Sequence, residues 1–190
     1  MGITYKYQEP LKFQRFLFSW DQVWDQVSNI CKTHHYNQLR AWKGADSSFP
    51  FLDAHVKTYN VRDGSEWETL KKRLHDRLNM SKNIVLFLSE NTKSSKALRE
   101  ELDYGINKKG LPVIVIYPDF KEKTDIASSS GIRKQVKDLW DKVPVFRDNM
   151  SKVATLHVPY KKALIISALK DADFKVQSMT KASAYYYTVD

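Results

Sequence analysis

The chain has 190 residues, 42% of them hydrophobic and 28% charged, which suits one globular domain able to bury a core. No apolar run approaches the roughly 18 residues of a membrane span, and a lone cysteine, Cys31, excludes an intrachain disulfide or a cysteine-cluster metal site. The net charge of +9 is spread thinly, with excesses of +2, +1, +3 and +3 over residues 1–50, 51–90, 91–140 and 141–190, so no stable nucleic-acid partner is expected.

Residues 1–12, MGITYKYQEPLK, read as an irregular lead-in without the apolar core of a signal peptide, and a cytoplasmic location follows as the expectation. Phe13–Ser19, FQRFLFS, reads as a first buried strand ending at Ser19-Trp20-Asp21. From Asp21, a plausible N-cap, Val23, Trp24, Val27, Ile30, Cys31, Leu39 and Trp42 recur at helical spacing towards Gly44. His34 and His35 are adjacent, point in different directions on a helix, and suit a surface or capping role better than joint metal ligation. Phe49–Leu52 predicts a short second strand that delivers Asp53 to a polar loop, either as a ligand-facing acid or as a turn former. Ser65 and Glu68 form a capping box for a helix from Glu66 to about Asn79, with Trp67, Leu70, Leu74 and Leu78 as its core stripe.

The most informative stretch is Lys82–Pro118. Ile84–Leu88 and Val113–Ile116 are unbroken apolar runs, as expected of strands buried on both faces of a parallel sheet. The segment between them is long enough for a crossover helix, so the whole reads as a βαβ unit. Ser94 or Ser95 caps that helix, Gly110 and Pro112 stop it, and Leu98, Leu102 and Ile106 face the sheet. Glu100 and Glu101 lie early in the helix, beside the loop Ser89-Glu90-Asn91-Thr92 at the carboxyl end of the preceding strand. Ligands of open α/β sheets bind at that edge, although first-turn acids are also favoured by the helix dipole alone.

Beyond it, Tyr117–Gly131 reads as a long polar loop, Ile132–Asp141 as a helix, Val143–Phe146 as a short strand and Tyr160–Lys170 as a last helix. The tail ending in Tyr185-Tyr186-Tyr187 fits strand or packed coil equally. The division is therefore a lead-in 1–12, one α/β domain 13–171, and a tail 172–190 packed on it. About five strands alternating with helices make a three-layer, doubly wound, flavodoxin-like parallel sheet. The P-loop, GxGxxG, HExxH and GxSxG patterns are absent, which removes the usual hardware of phosphoryl and hydride transfer.

The runs Phe51-Leu52-Asp53-Ala54-His55, Asn60-Val61-Arg62-Asp63-Gly64-Ser65, IVLFLSENTKSSKALREEL and GLPVIVIYP resemble the TIR-like (Toll/interleukin receptor) proteins of bacterial Thoeris antiphage systems, over about Arg15 to Phe120. The resemblance implies a TIR fold and cleavage of NAD to release nicotinamide. It further implies an ADP-ribose-derived signal, often cyclic, that diffuses to a partner effector, with homo-oligomers forming on activation. NAD is then a substrate, with no cofactor, resident metal or membrane expected. The family's catalytic glutamate, four residues after an aromatic, carries over to Glu101, with Glu100 as the fallback and Ala97 at the aromatic position. Phe18, Ser19, Trp20, Asp53 and Ser89 become the substrate-binding candidates, Trp20 to stack on a base and Ser19 or Ser89 to hold phosphate or ribose. Each of those last three fits core packing or turn formation as well. A non-catalytic TIR interaction module and a nucleoside deoxyribosyltransferase-like enzyme are the alternatives.

Overall fold

A computed structural model describes residues 16–18, 29–51 and 67–188. Five strands form one sheet in the order β1-β2-β3-β6-β7: β1 Phe16–Phe18, β2 Asn83–Phe87, β3 Val113–Tyr117, β6 Ala154–Pro159 and β7 Ser183–Tyr186. Every neighbouring pair is parallel, with Ile84 opposite Val113 and Ile114 opposite Leu156.

Parallel pairing places helices on both faces, because each crossover must return the chain to the same edge. Helices α1 (Asn29–Ala45) and α7 (Lys162–Lys170) lie on the face where Leu39, Val85, Ile114, Leu156, Val158 and Ile165 pack together. On the other face, α2 (Trp67–Asn79), α3 (Lys96–Asp103), α5 (Lys134–Trp140) and α6 (Pro144–Asn149) cover Ile84, Leu86, Val113 and Val115. First and last helices on one face and the middle helices on the other make the three-layer, flavodoxin-like arrangement. Among the described residues no helix is long and apolar enough to cross a membrane.

The βαβ unit has the elements its sequence predicts. Ser95 is the N-cap of α3 and accepts from the Leu98 N–H at 3.1 Å. The helix then loosens into a π-turn over Tyr104–Lys108 and ends at Gly110, whose φ of +60° suits a residue without Cβ. Gly105 within the π-turn is required for a different reason. A Cβ there would lie 2.5 Å from Ile84 Cδ1 and 3.1 Å from Leu78 Cδ2, both in the packed interior. Gly105→Val is therefore expected to lower unfolding free energy by about 2 kcal/mol, read by urea denaturation. An unchanged midpoint would show that this seam is loose.

Three expectations need correction. Phe49–Phe51 is not strand, and Leu52 lies outside the described residues. Asp46 Oδ1 accepts from both the N–H and the hydroxyl of Ser48, and Pro50 has no N–H for a ladder, so a turn carries Phe49 and Phe51 inward, each 1% exposed. Val143–Phe146 is not strand either, because Pro144 opens α6, where its fixed φ and missing N–H cost nothing. The fourth long strand is instead Ala154–Pro159, buried along its whole length, with Thr155 and His157 interrupting the apolar run by which strands are recognised. The expected loop Tyr117–Gly131 contains a short helix α4 (Lys123–Ile126) and part of a hairpin of β4 (Ala127–Ser128) with β5 (Gly131–Ile132). The tail, open between strand and coil on sequence, contributes β7 alongside β6.

Candidate functional site

Strand β2 ends at Phe87, and the turn that follows is shaped by its own side chains. Thr92 N–H donates to the Ser89 carbonyl at 3.0 Å, and Ser89 N–H donates to Thr92 Oγ1 at 2.9 Å. The Ser89 hydroxyl is 3.4 Å from the same Thr92 oxygen and the residue is buried. Ser89 thus acts on loop shape. Beside it, Glu90 is exposed and engages Lys142 at 3.0 Å.

This turn launches α3, whose first residue abuts the first residue of α2: Lys96 Nζ lies 4.0 Å from the Trp67 ring centroid. In the second turn the two adjacent acids diverge, as a rotation of about 100° per residue requires. Glu100 faces α2 from the rim, accepting from Lys71 at 3.3 Å and lying 2.8 Å from His75 Nε2. His75 is itself stacked on Tyr104 at 3.7 Å. Glu101 turns inward and is 1% exposed. Its charge is felt by Arg77 near the end of α2: burial pushes that guanidinium down from its ordinary value and Glu101 pushes it back up. An acid held in the interior beside a cation stays ionised at less cost than one held alone.

Of the substrate-binding candidates, Phe18 is the last residue of β1, its backbone opposite Val85. Ser19, Trp20 and Asp53 lie outside the described residues. Among the candidates the structure describes, Ser89 lies in the turn between β2 and α3, and Glu101 lies in the second turn of α3. Ala97 sits four residues before Glu101, half-buried.

A second group at the carboxyl edge belongs to the opposite face and was not singled out on sequence. His35 of α1 stacks on Phe87 at 5.8 Å and meets Tyr160 edge-on at 4.9 Å, so it is a partly buried packing residue and not the surface or capping histidine expected. Lys121 Nζ lies 4.5 Å from the Tyr160 ring centroid. Burial pushes the Tyr160 hydroxyl up to about 12, and it finds no hydrogen-bond partner. These residues come from four separate segments, so no local pattern could have joined them.

The geometry offers one interior carboxylate in the second turn of a crossover helix, and that helix follows the carboxyl end of β2, the edge at which such sheets bind ligands. Residues 30–123 match the family model described as the Thoeris protein ThsB, TIR-like domain. That span runs from α1 through β3 and includes the whole β2–α3–β3 unit that carries Glu101. Residues 30–123 therefore belong to the TIR-like domain family of the Thoeris protein ThsB, a family of antiphage defence.

Proposed function

We propose that the protein cleaves NAD, releases nicotinamide and makes an ADP-ribose-derived signal, cyclic when an acceptor within the same molecule captures the ribose, which activates a partner effector. The observation that carries this reading is Glu101: a carboxylate 1% exposed, on the helix after the strand Asn83–Phe87.

The chemistry asks little of the protein. Nicotinamide departs from a pyridinium as a neutral molecule, so its departure needs no general acid. Breaking the bond builds positive charge on the ribose, as in the oxocarbenium-like states of glycoside cleavage. A carboxylate placed by the ribose hydroxyls stabilises that charge, more strongly where water is excluded. Water as acceptor gives ADP-ribose, whereas a hydroxyl or ring nitrogen of the same molecule closes a cycle. Trp20 stacking on a base and Ser19 or Ser89 holding phosphate or ribose, with Phe18 and Asp53 as further substrate-binding candidates, complete the proposed site, and Glu100 is the fallback acid.

Mass spectrometry of small molecules from cells expressing the protein during phage infection tests the reading in the activated state. Nicotinamide and an ADP-ribose derivative should accumulate, and intact NAD throughout infection would overturn the proposal. A non-catalytic interaction module is the second reading. It is favoured by Ala97 at the family's aromatic position and by the Arg77 charge beside Glu101. On that reading Glu101→Gln lowers thermal stability and leaves self-association or partner binding intact.

A further inference from the structure

Lysines far apart in sequence meet at the amino edge of the sheet, opposite the proposed site. Lys82 directly precedes β2, Lys108 and Lys109 lie in the turn before β3, Lys152 closes the turn before β6, and Lys181 stands two residues before β7. Lys175 joins them on the returning segment, where the Val176 N–H donates to the Lys82 carbonyl at 2.6 Å. Strands β2, β3, β6 and β7 are successive neighbours, so at about 4.8 Å per strand their ends span a row of about 15 Å.

Burial pushes the Lys175 ammonium down and the Asp171 carboxylate pushes it back up, while the hydrogen bonds that hold two of these lysines go to neutral oxygens. Lys152 Nζ donates to the neutral oxygens of Asn107 and Asn149, at 2.8 and 2.6 Å, and Lys175 Nζ to the Lys170 carbonyl at 3.0 Å. Among the described residues none of the six lysines forms an ion pair. Asp103, Asp171 and Asp173 reach this end of the fold. Asp103 accepts from the Asn107 amide, and Asp171 from the Asp173 N–H. At the carboxyl edge, by contrast, Lys142 meets Glu90 at 3.0 Å and Lys161 meets Glu122 at 2.7 Å.

We propose that this amino edge binds the phosphate backbone of a nucleic-acid duplex without reading its sequence. A row of ammonium groups matches a densely charged backbone and releases its counterions. Lysine heads act as point charges and lack the planar fork that reads base edges. No aromatic residue immediately precedes any of these four strands to offer a stacking surface. The contact is weak and salt-sensitive, in keeping with the expectation, drawn from the thinly spread charge, of no stable nucleic-acid partner. Met80 and Met179, exposed to 51% and 97% at the same end, would instead suit an acidic apolar protein segment, and the experiment separates that rival.

The test is fluorescence anisotropy of the full chain with a labelled duplex of about 30 base pairs, between about 50 and 200 mM salt. Four phosphate contacts predict a slope of log affinity on log salt of about −3.6, the same for unrelated duplex sequences. The triple variant K108E/K109E/K152E is expected to weaken binding about 100-fold at low salt, whereas K134E/K137E/K142E, an equal charge change elsewhere, weakens it less than about tenfold. Equal losses in the two variants would reduce the effect to net charge and overturn the proposal, as would no binding at low salt. Poly-glutamate competing as well as the duplex would overturn it in favour of an acidic protein partner.

Discussion

Glu101→Gln is expected to lower nicotinamide release by at least about 100-fold while the protein remains folded. The substitution keeps the shape of the side chain and removes only the charge, and charge is what a ribose that becomes cationic in the transition state requires. Glu101 is suited to supply it because it is 1% exposed, so water does not screen it as it would a surface acid. Glu100→Gln is the matched comparison. Its carboxylate lies at the rim with Lys71 and His75, and such a partly exposed pair contributes no more than about 1 kcal/mol. That variant should release nicotinamide near the wild-type rate. Chromatography of nicotinamide from activated protein reads both variants. Full activity in Glu101→Gln together with loss in Glu100→Gln would move the chemistry to the neighbouring acid, and full activity in both would remove it from this helix. Circular dichroism melts of the same samples separate lost chemistry from lost structure, which matters because Arg77 feels the Glu101 charge.

The fold should also weaken in acid through one histidine. His157 on β6 is fully buried, and burial pushes its pKa down to about 3. Trp140 Nε1–H donates to the Tyr117 hydroxyl oxygen at 2.9 Å, and that hydroxyl lies 2.7 Å from His157 Nδ1. With the tyrosine proton donated to Nδ1, the imidazole is neutral and its own proton sits on Nε2, which finds no partner. Tyr117 is buried too, its own ionisation pushed well above the ordinary range, so the chain of hydrogen bonds holds no charge to offset a protonated ring.

The unfolded chain takes up a proton at His157 as pH falls below about 6.5, whereas the folded chain does so only near 3. Between those values the unfolded state is favoured by about 1.4 kcal/mol per pH unit, and above about 6.5 the group has no effect. Urea unfolding of wild type and His157→Phe at pH 6.5 and 5 isolates the contribution, since other acids titrate alike in both. Wild type should lose about 2 kcal/mol more than the variant over that interval. Parallel losses would mean that the folded protein protonates this ring easily.

The β2–α3–β3 unit shows how far local pattern reaches. Ile84–Leu88 and Val113–Ile116 are apolar at every position, and a run of that kind in a parallel sheet needs no tertiary information to be recognised. Ser95 and Gly110 mark the ends of the helical segment by backbone chemistry that acts within a few residues. Strand β6 escaped the same test because His157 and Thr155 interrupt it. The Thr155 hydroxyl donates to the Met150 carbonyl, and Tyr117 and Trp140, distant in sequence, make the histidine tolerable inside.

Sequence by itself determined the doubly wound class, the crossover unit and the presence of paired acids on its helix, because periodicity and capping act over a few residues. Only the tertiary structure decided which acid turns inward and which is held at the rim by Lys71 and His75. It also decided that the last tyrosine-rich segment completes the sheet, and that six lysines from separate connections stand at one edge. Those outcomes depend on which elements become neighbours. Neighbourhood is set by the packing of whole faces against one another, and no short window of residues contains it.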